Sequence, residues 1–321
     1  MHIRRLVLLT SLALVLLASH VSVTTSSFSD SEVSISDTFG AGSWIQTVWT
    51  QTTEGDFESG VLTNVDSISS PGDLKLATTT TTLGDSANNA LATTDADQVL
   101  VQTDGYASVT HNGEITSWTY YNAGTTSNGA RLEFLSGSDT TWTMMAKSDT
   151  VTITGTGDTF AVSIPVQAGW SLGMYSGSAS IQYDDSSGTV SARTYDFNVE
   201  DTESDFSSST GHLALTAELR YYYSLGTIAS QVLDTEIAGS KWGELSWYKT
   251  LPTDTNITFE VRASDTSFAK DDVTPSWTSV GDTSPVTSGL PSGRYKQWRA
   301  NLTTSDTSVA PTLNEVSVCY F

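Results

Sequence analysis

The strongest constraint in this sequence is the period of its apolar runs. Past residue 28 the chain is rich in Thr, Ser, Gly, Val, Asp and aromatics, its short runs alternate with period two, and turn residues close them about every ten residues. Gln98 to Gln102, Arg131 to Leu135, Val151 to Ile153, Phe160 to Ile164 and Ile257 to Arg262 all follow this rule. Helix-period stripes are missing. Many short strands with few Pro and many Gly predict an all-β fold of β-sandwich, jelly-roll-like domains rather than a parallel α/β sheet. A chain of 321 residues has room for two such sandwiches, each with its own core.

The first residues specify a compartment. Arg4 and Arg5 form a positive start, and Leu6 to Ala18 is an apolar run shorter than the roughly 20 residues a membrane helix needs. Residues 1–27 read as a signal peptide, so the protein is expected to be secreted to the cell surface. A retained N-terminal anchor is the other reading, because His20 to Ser27 lacks a small-x-small cleavage site.

Charge and cysteine narrow the field further. The chain carries 36 acidic and 14 basic residues, a net charge of -22. Nucleic acid and anionic lipid are excluded as partners, because phosphate binding needs clustered Lys and Arg. Cys319 is the single cysteine, so no intramolecular disulfide can form, and a lone thiol on a final strand is expected to be buried.

No catalytic constellation stands out. Beyond the first 27 residues only His111 and His212 remain, both beside turn residues, which leaves a nucleophile triad without an obvious base and zinc without a ligand cluster. Phosphate-binding glycine loops are missing as well. The chain is therefore read as no enzyme and as needing no cofactor, calcium excepted. The calcium candidates are the loop acids Asp184, Asp185, Asp271 and Asp272, which lack EF-hand spacing and are read first as solvated loops. Asn256 and Asn301 open two N-glycosylation sequons. Trp118, Trp142, Trp242, Trp247 and Trp298 sit inside alternating strands, where core positions are expected rather than a sugar-stacking surface.

Two resemblances bear on organisation. Gly293 to Arg299, Leu302 to Asp306, Pro311 to Leu313 and Glu315 to Tyr320 resemble the last strands of jelly-roll modules in archaeal and bacterial surface proteins. In such modules an element like Asp56 to Val65, then Pro71 to Leu76, leads into a strand like Ser230 to Thr235. That implies a nested arrangement: residues 55–77 plus 223–321 as an outer sandwich, and residues 95–222 as a sandwich inserted into it. Simple succession of two domains is the alternative. Polar runs at 78–82 and 201–210 are expected to separate the modules, neither being a core strand.

Residues 28–54 form an N-terminal segment. Phe28 to Glu32, followed by Asp37 to Gly42, resembles the mature N-terminus of the TasA/camelysin family of secreted biofilm-matrix proteins. The resemblance implies a homopolymer, in which an N-terminal strand of one subunit completes a sheet of the next. Phe28, Asp30, Glu32, Val33, Ile35, Phe39 and Trp44 are the candidate assembly residues, since an exposed sheet edge accepts a donated strand through its unpaired N–H and C=O groups. The competing expectation is that this segment is the first strand of its own sandwich. At the level of function, the alternatives are a self-assembling prokaryotic surface or matrix subunit, archaeal on the jelly-roll resemblance, and a monomeric adhesin or carbohydrate-binding protein.

Overall fold

The computed structural model describes residues 46–86, 92–93, 96–105, 107–121, 126–154, 157–179 and 181–321, with backbone alone at 92–93 and 182–187. In chain order the first strands are β1 (Thr47–Gln51), β2 (Val61–Thr63), β3 (Val65–Asp66), β4 (Leu74–Leu76), β5 (Thr78–Asp85), β6 (Ala92–Thr93), β7 (Gln98–Gln102) and β8 (Gly113–Tyr120). Next come β9 (Ser127–Ser138), β10 (Thr141–Lys147), β11 (Val151–Ile153), β12 (Asp158–Val166), β13 (Ser171–Tyr175), β14 (Gln182–Thr194), β15 (Thr202–Glu203) and β16 (Ser207–His212). The last are β17 (Leu215–Tyr222), β18 (Leu225–Ala229), β19 (Leu233–Asp234), β20 (Trp242–Thr250), β21 (Thr255–Ser264), β22 (Thr278–Gly281), β23 (Tyr295–Thr304) and β24 (Thr312–Tyr320).

The fold is all-β. Among the described residues there is one short helix, α1 (Glu54–Glu58), which starts at a capping box. Asp56 N–H donates to the Thr53 hydroxyl at 3.2 Å, while the Asp56 carboxylate accepts from Thr53 N–H at 2.9 Å. This cap turns the chain so that Phe57 enters a core.

Strand pairing gathers the chain into two sandwiches. In one, β1, β3, β4, β20 and β24 form a sheet that faces a second sheet of β2, β18, β19, β21, β22 and β23. Leu74, Leu245, Trp247, Val316 and Val318 from the first sheet meet Ile228, Ile257, Phe259, Val261, Trp298 and Leu302 from the second. Trp247 stacks on Phe259 with ring centroids 3.9 Å apart, so alternate side chains of both sheets interdigitate.

The other sandwich uses residues 78–222. Its smaller sheet runs in the order β12-β8-β17-β5, and its larger sheet in the order β15-β10-β9-β13-β7-β14-β16, with β11 on β9 and β6 on β14. Ile115, Trp118, Leu215 and Leu219 of the first pack against Leu100, Leu132, Phe134, Leu172 and Met174 of the second.

The larger sheet is buried on its other face as well. Val99, Val101, Leu135, Trp142 and Met144 point away from the sandwich core and are covered by Phe197 and Phe206. Phe197 and Phe206, on either side of β15, thus form a third layer. That layer explains why Leu132 to Leu135 are consecutively buried rather than alternating.

The polar runs have a different place from the one expected. Thr78 to Thr82 begins β5, paired along its whole length with β17, so the second sandwich takes its first strand at residue 78 rather than 95. The 201–210 stretch contributes β15 and β16, the two ends of the larger sheet. β-branched Thr extends readily without an apolar face when one strand edge meets solvent. Likewise β1, inside the segment 28–54, pairs with β24 from Thr47↔Tyr320 to Gln51↔Val316 and so belongs to the first sandwich.

Candidate functional site

The structure places the predicted site residues unevenly. Phe28, Asp30, Glu32, Val33, Ile35, Phe39 and Trp44 lie outside the described residues, as do the side chains of Asp184 and Asp185, whose backbone runs within β14. Asp271 and Asp272 are exposed in the loop after β21. The Asp272 carboxylate accepts from Ala269 N–H at 2.6 Å, and its backbone carbonyl accepts from Arg262 at 2.5 Å. A guanidinium is therefore the neighbour of this turn. Among the described residues no three His, Cys, Asp or Glu side chains gather as a metal group.

The two sequons share one outer sheet face and lie in cross-strand register, Asn256 opposite Thr303 and Thr258 opposite Asn301. Asn256 is exposed, whereas Asn301 is half-buried and donates its amide to Glu260 at 3.0 Å. All five strand tryptophans are buried. His111 stacks on Tyr221 at 4.0 Å, and His212 is buried against Asp85 and Asp104 at 3.8 Å each. Cys319 departs from its expectation: it is half-buried, because Val316 and Val318 occupy the core face of β24 and the neighbouring odd position turns outward.

Sheet edges are where a strand could be added, and they differ in protection. At one end of the smaller sheet, β12 carries Pro165 and a register shift between Ala161 and Ile164, both of which frustrate further pairing. At the other end stands β5. It runs eight residues, TTTTTLGD, and among the described residues no strand pairs with its second edge. Thr78 to Thr82 has no Lys, no Pro and no bulge against β17. Thr79, Thr81 and Leu83 turn toward the core side, with Leu83 inside the core cluster, while Thr80 and Thr82 face out and the Thr82 hydroxyl donates to Glu218 at 2.5 Å.

β5 starts in a cleft of about 510 Å3 at the seam of the two sandwiches. Asp66, Ser69, Ser70 and Lys75 form one wall, Glu114, Pro165, Arg220 and Tyr221 the other, and Thr307 and Ser308 close it. The seam is pinned beside the cleft: Asn112 donates to Asp306 at 3.0 Å, the Thr307 hydroxyl donates to the Asn112 carbonyl at 2.7 Å, and Tyr222 N–H donates to the Thr307 carbonyl at 2.8 Å. Glu114 accepts from Ser163 and from Arg220, and these donors hold its carboxyl below the usual range. The Ser69 hydroxyl and the Ser69 and Ile68 amides do the same for Asp66 against the opposing effect of burial.

Two buried ionic clusters hold loops rather than line pockets. Glu133 is fully buried and accepts from Arg131 at 2.9 Å; Arg131 also pairs with Asp196 and lies over Tyr175 at 4.8 Å. Burial pushes the Glu133 carboxyl up to about 7 despite the arginine. Arg193 holds the far end of the covering layer through Asp205 at 2.6 Å and Phe197 at 5.2 Å. In the other sandwich Lys296 Nζ donates to the carbonyls of Ser240 and Gly293 at 2.7 and 2.9 Å, and burial pushes its ammonium down to about 8.

Comparison with family models and with curated proteins returns no match. Among solved structures, a candidate secreted protein from Parabacteroides distasonis ATCC 8503 is similar at 9% identity, covering 86% of this chain and 99% of that one, with a TM-score of 0.24. A score that low does not establish a common fold. The candidate site therefore rests on the geometry alone, and its centre is the β5 edge with the cleft at its start.

Proposed function

We propose that this chain is a secreted, non-enzymatic structural protein of the cell surface that assembles with copies of itself by β-strand addition. Residues 31–36 of one copy pair with the open edge of β5 in a second copy. The single observation that carries the reading is that edge: five successive threonines, Thr78 to Thr82, with no Pro, Lys or bulge and no partner strand among the described residues.

The donor pattern supports it. Val33 and Ile35 alternate with Glu32, Ser34 and Ser36, so one face of the added strand extends the core side of β5 beyond Leu83 while the other stays polar beside Thr80. Arg4, Arg5 and the apolar run to Ala18 support export, and the net charge of -22 supports a soluble surface subunit.

Electron microscopy and sedimentation of the purified protein test the proposal. The expected result is filaments or higher oligomers from the natural chain, and monomers when residues 28–42 are deleted or when Thr80→Lys and Thr82→Lys are combined. In a Cys319→Ser background, the pair Val33→Cys and Thr79→Cys should cross-link between copies under mild oxidation. A natural chain that stays monomeric at all concentrations sinks the proposal and returns the monomeric adhesin reading.

A further inference from the structure

We propose that the seam cleft binds a neutral saccharide, as a second site independent of strand addition. The argument starts from charge. In a chain with 36 acidic and 14 basic residues, this cleft sets Lys75 and Arg220 against Asp66 and Glu114 and is locally balanced. Anionic ligands gain nothing there and are repelled by the whole molecule. A cation finds no bare carboxylate either, because Glu114 is taken by Arg220 and Ser163, and Asp66 accepts from the Ile68 and Ser69 amides.

What remains is a set of hydrogen-bonding groups. Ser70 and Thr78 offer hydroxyls that give and take, Ser69, Thr307 and Ser308 spend their protons on Asp66, the Asn112 carbonyl and Asp306 and offer lone pairs, and the Glu114–Arg220 pair sets an acceptor beside a donor across neighbouring strands. Vicinal diols present the same alternation, one oxygen donating while its neighbour accepts. The apolar lining is sparse: Leu76 is buried in the sandwich core, Tyr221 is half-buried against His111, and Pro165 is exposed, so an apolar peptide side chain would find no pocket to fill. Volume agrees, since about 510 Å3 lies within the range of small-ligand clefts, and domain seams are where such clefts occur.

The cleft is also preorganised. Asn112, Asp306, Thr307 and Tyr222 fasten the two sandwiches beside it, so its walls keep their spacing without a ligand.

Affinity electrophoresis of the purified full chain tests this, in gels containing dextran, laminarin, xylan or mannan as neutral probes and heparin as the anionic one. Retardation by at least one neutral polysaccharide is expected. The apparent Kd should rise at least tenfold in Arg220→Met, which removes a donor, and in Ser70→Leu, which fills the cleft but leaves the Glu114–Arg220 pair intact. Circular dichroism melts confirm that both variants fold. Lys241→Ala, outside the cleft, should bind like the natural chain. The proposal is overturned if no neutral probe retards the protein, if heparin alone does, or if both cleft variants bind unchanged.

Discussion

The indole N–H of Trp298 donates to the side-chain oxygen of Gln51 at 2.8 Å, and both side chains are fully buried. This bond crosses the first sandwich from β23 to the edge strand β1, and Gln51 also donates to the Asp56 carbonyl at 3.0 Å, tying β1 to helix α1. Gln51→Leu leaves the indole unpaired in the interior, whereas the Asp56 carbonyl keeps the Ser59 hydroxyl at 2.6 Å. The orphaned indole costs about 1–3 kcal/mol. Urea unfolding should show a loss in that range or above it, and a variant as stable as the natural protein would mean that β1 contributes nothing to the core.

Glu133 gives stability an unusual pH dependence. Its native carboxyl titrates near 7, against the ordinary 4.5, so between those values the native state holds more protons than the unfolded chain. Stability contributed by this group is therefore highest below about 4.5, falls as pH rises and levels off above about 7. Glu133→Gln removes the titration while keeping the shape. The variant should gain on the natural protein as pH rises from 5 to 8, by an amount on the order of 2–3 kcal/mol. Denaturant midpoints at several pH values measure the difference, and parallel profiles would show that Glu133 titrates normally.

The sequence made much of the fold legible, for a physical reason that also marks where it failed. Alternation of core and outward residues is visible when one face of a strand meets water, as at Val316 and Val318 with Cys319 between β1 and β20. It misleads when a third layer covers the outward face. Arg131 and Glu133 alternate with Leu132 and Phe134 as solvent residues would, yet both are buried beneath residues 195–206. The signal lay in a repeated pair inside an otherwise polar stretch: Asp196-Phe197 and Asp205-Phe206 each give one carboxylate to an arginine and one ring to the sheet. The β5 edge was hidden in the same way. A run of threonines has no apolar face to reveal a strand, although its β-branched carbons favour one.

Lys296 should act in the opposite pH range. Its ammonium is pushed down to about 8 by burial, against an ordinary 10.5, so between those values the native state holds fewer protons than the unfolded chain. Stability contributed by this group rises as pH climbs from about 8 to about 10.5. Lys296→Met abolishes that rise, and it also takes the ammonium from the Gly293 carbonyl and from the Ser240 carbonyl, which keeps the Gly293 N–H, so its absolute stability falls. The decisive quantity is the slope of stability between pH 8 and 10, steeper in the natural protein than in the variant. Equal slopes would rule out a perturbed lysine.

Gly84 tests the strand at the centre of the assembly proposal. Its φ is +80°, and a Cβ there would lie 2.0 Å from the Leu215 carbonyl oxygen, on the strand that pairs with β5. Gly84→Ala must move one backbone or the other, because neither the conformation nor the space admits a methyl group. A left-handed conformation alone costs roughly 1–3 kcal/mol, and the clash adds to it. The expected outcome is faster amide hydrogen exchange along Thr78 to Leu83 while β21 and β23 in the other sandwich stay protected, since the damage begins at the Gly84↔Thr216 and Asp85↔Leu215 end of the β5–β17 ladder. If the same variant also loses assembly while Gly55→Ala, whose Cβ meets open space, keeps it, the order of β5 and the capacity to assemble are the same property. Assembly that persists with β5 exchanging freely would place the contact on another edge.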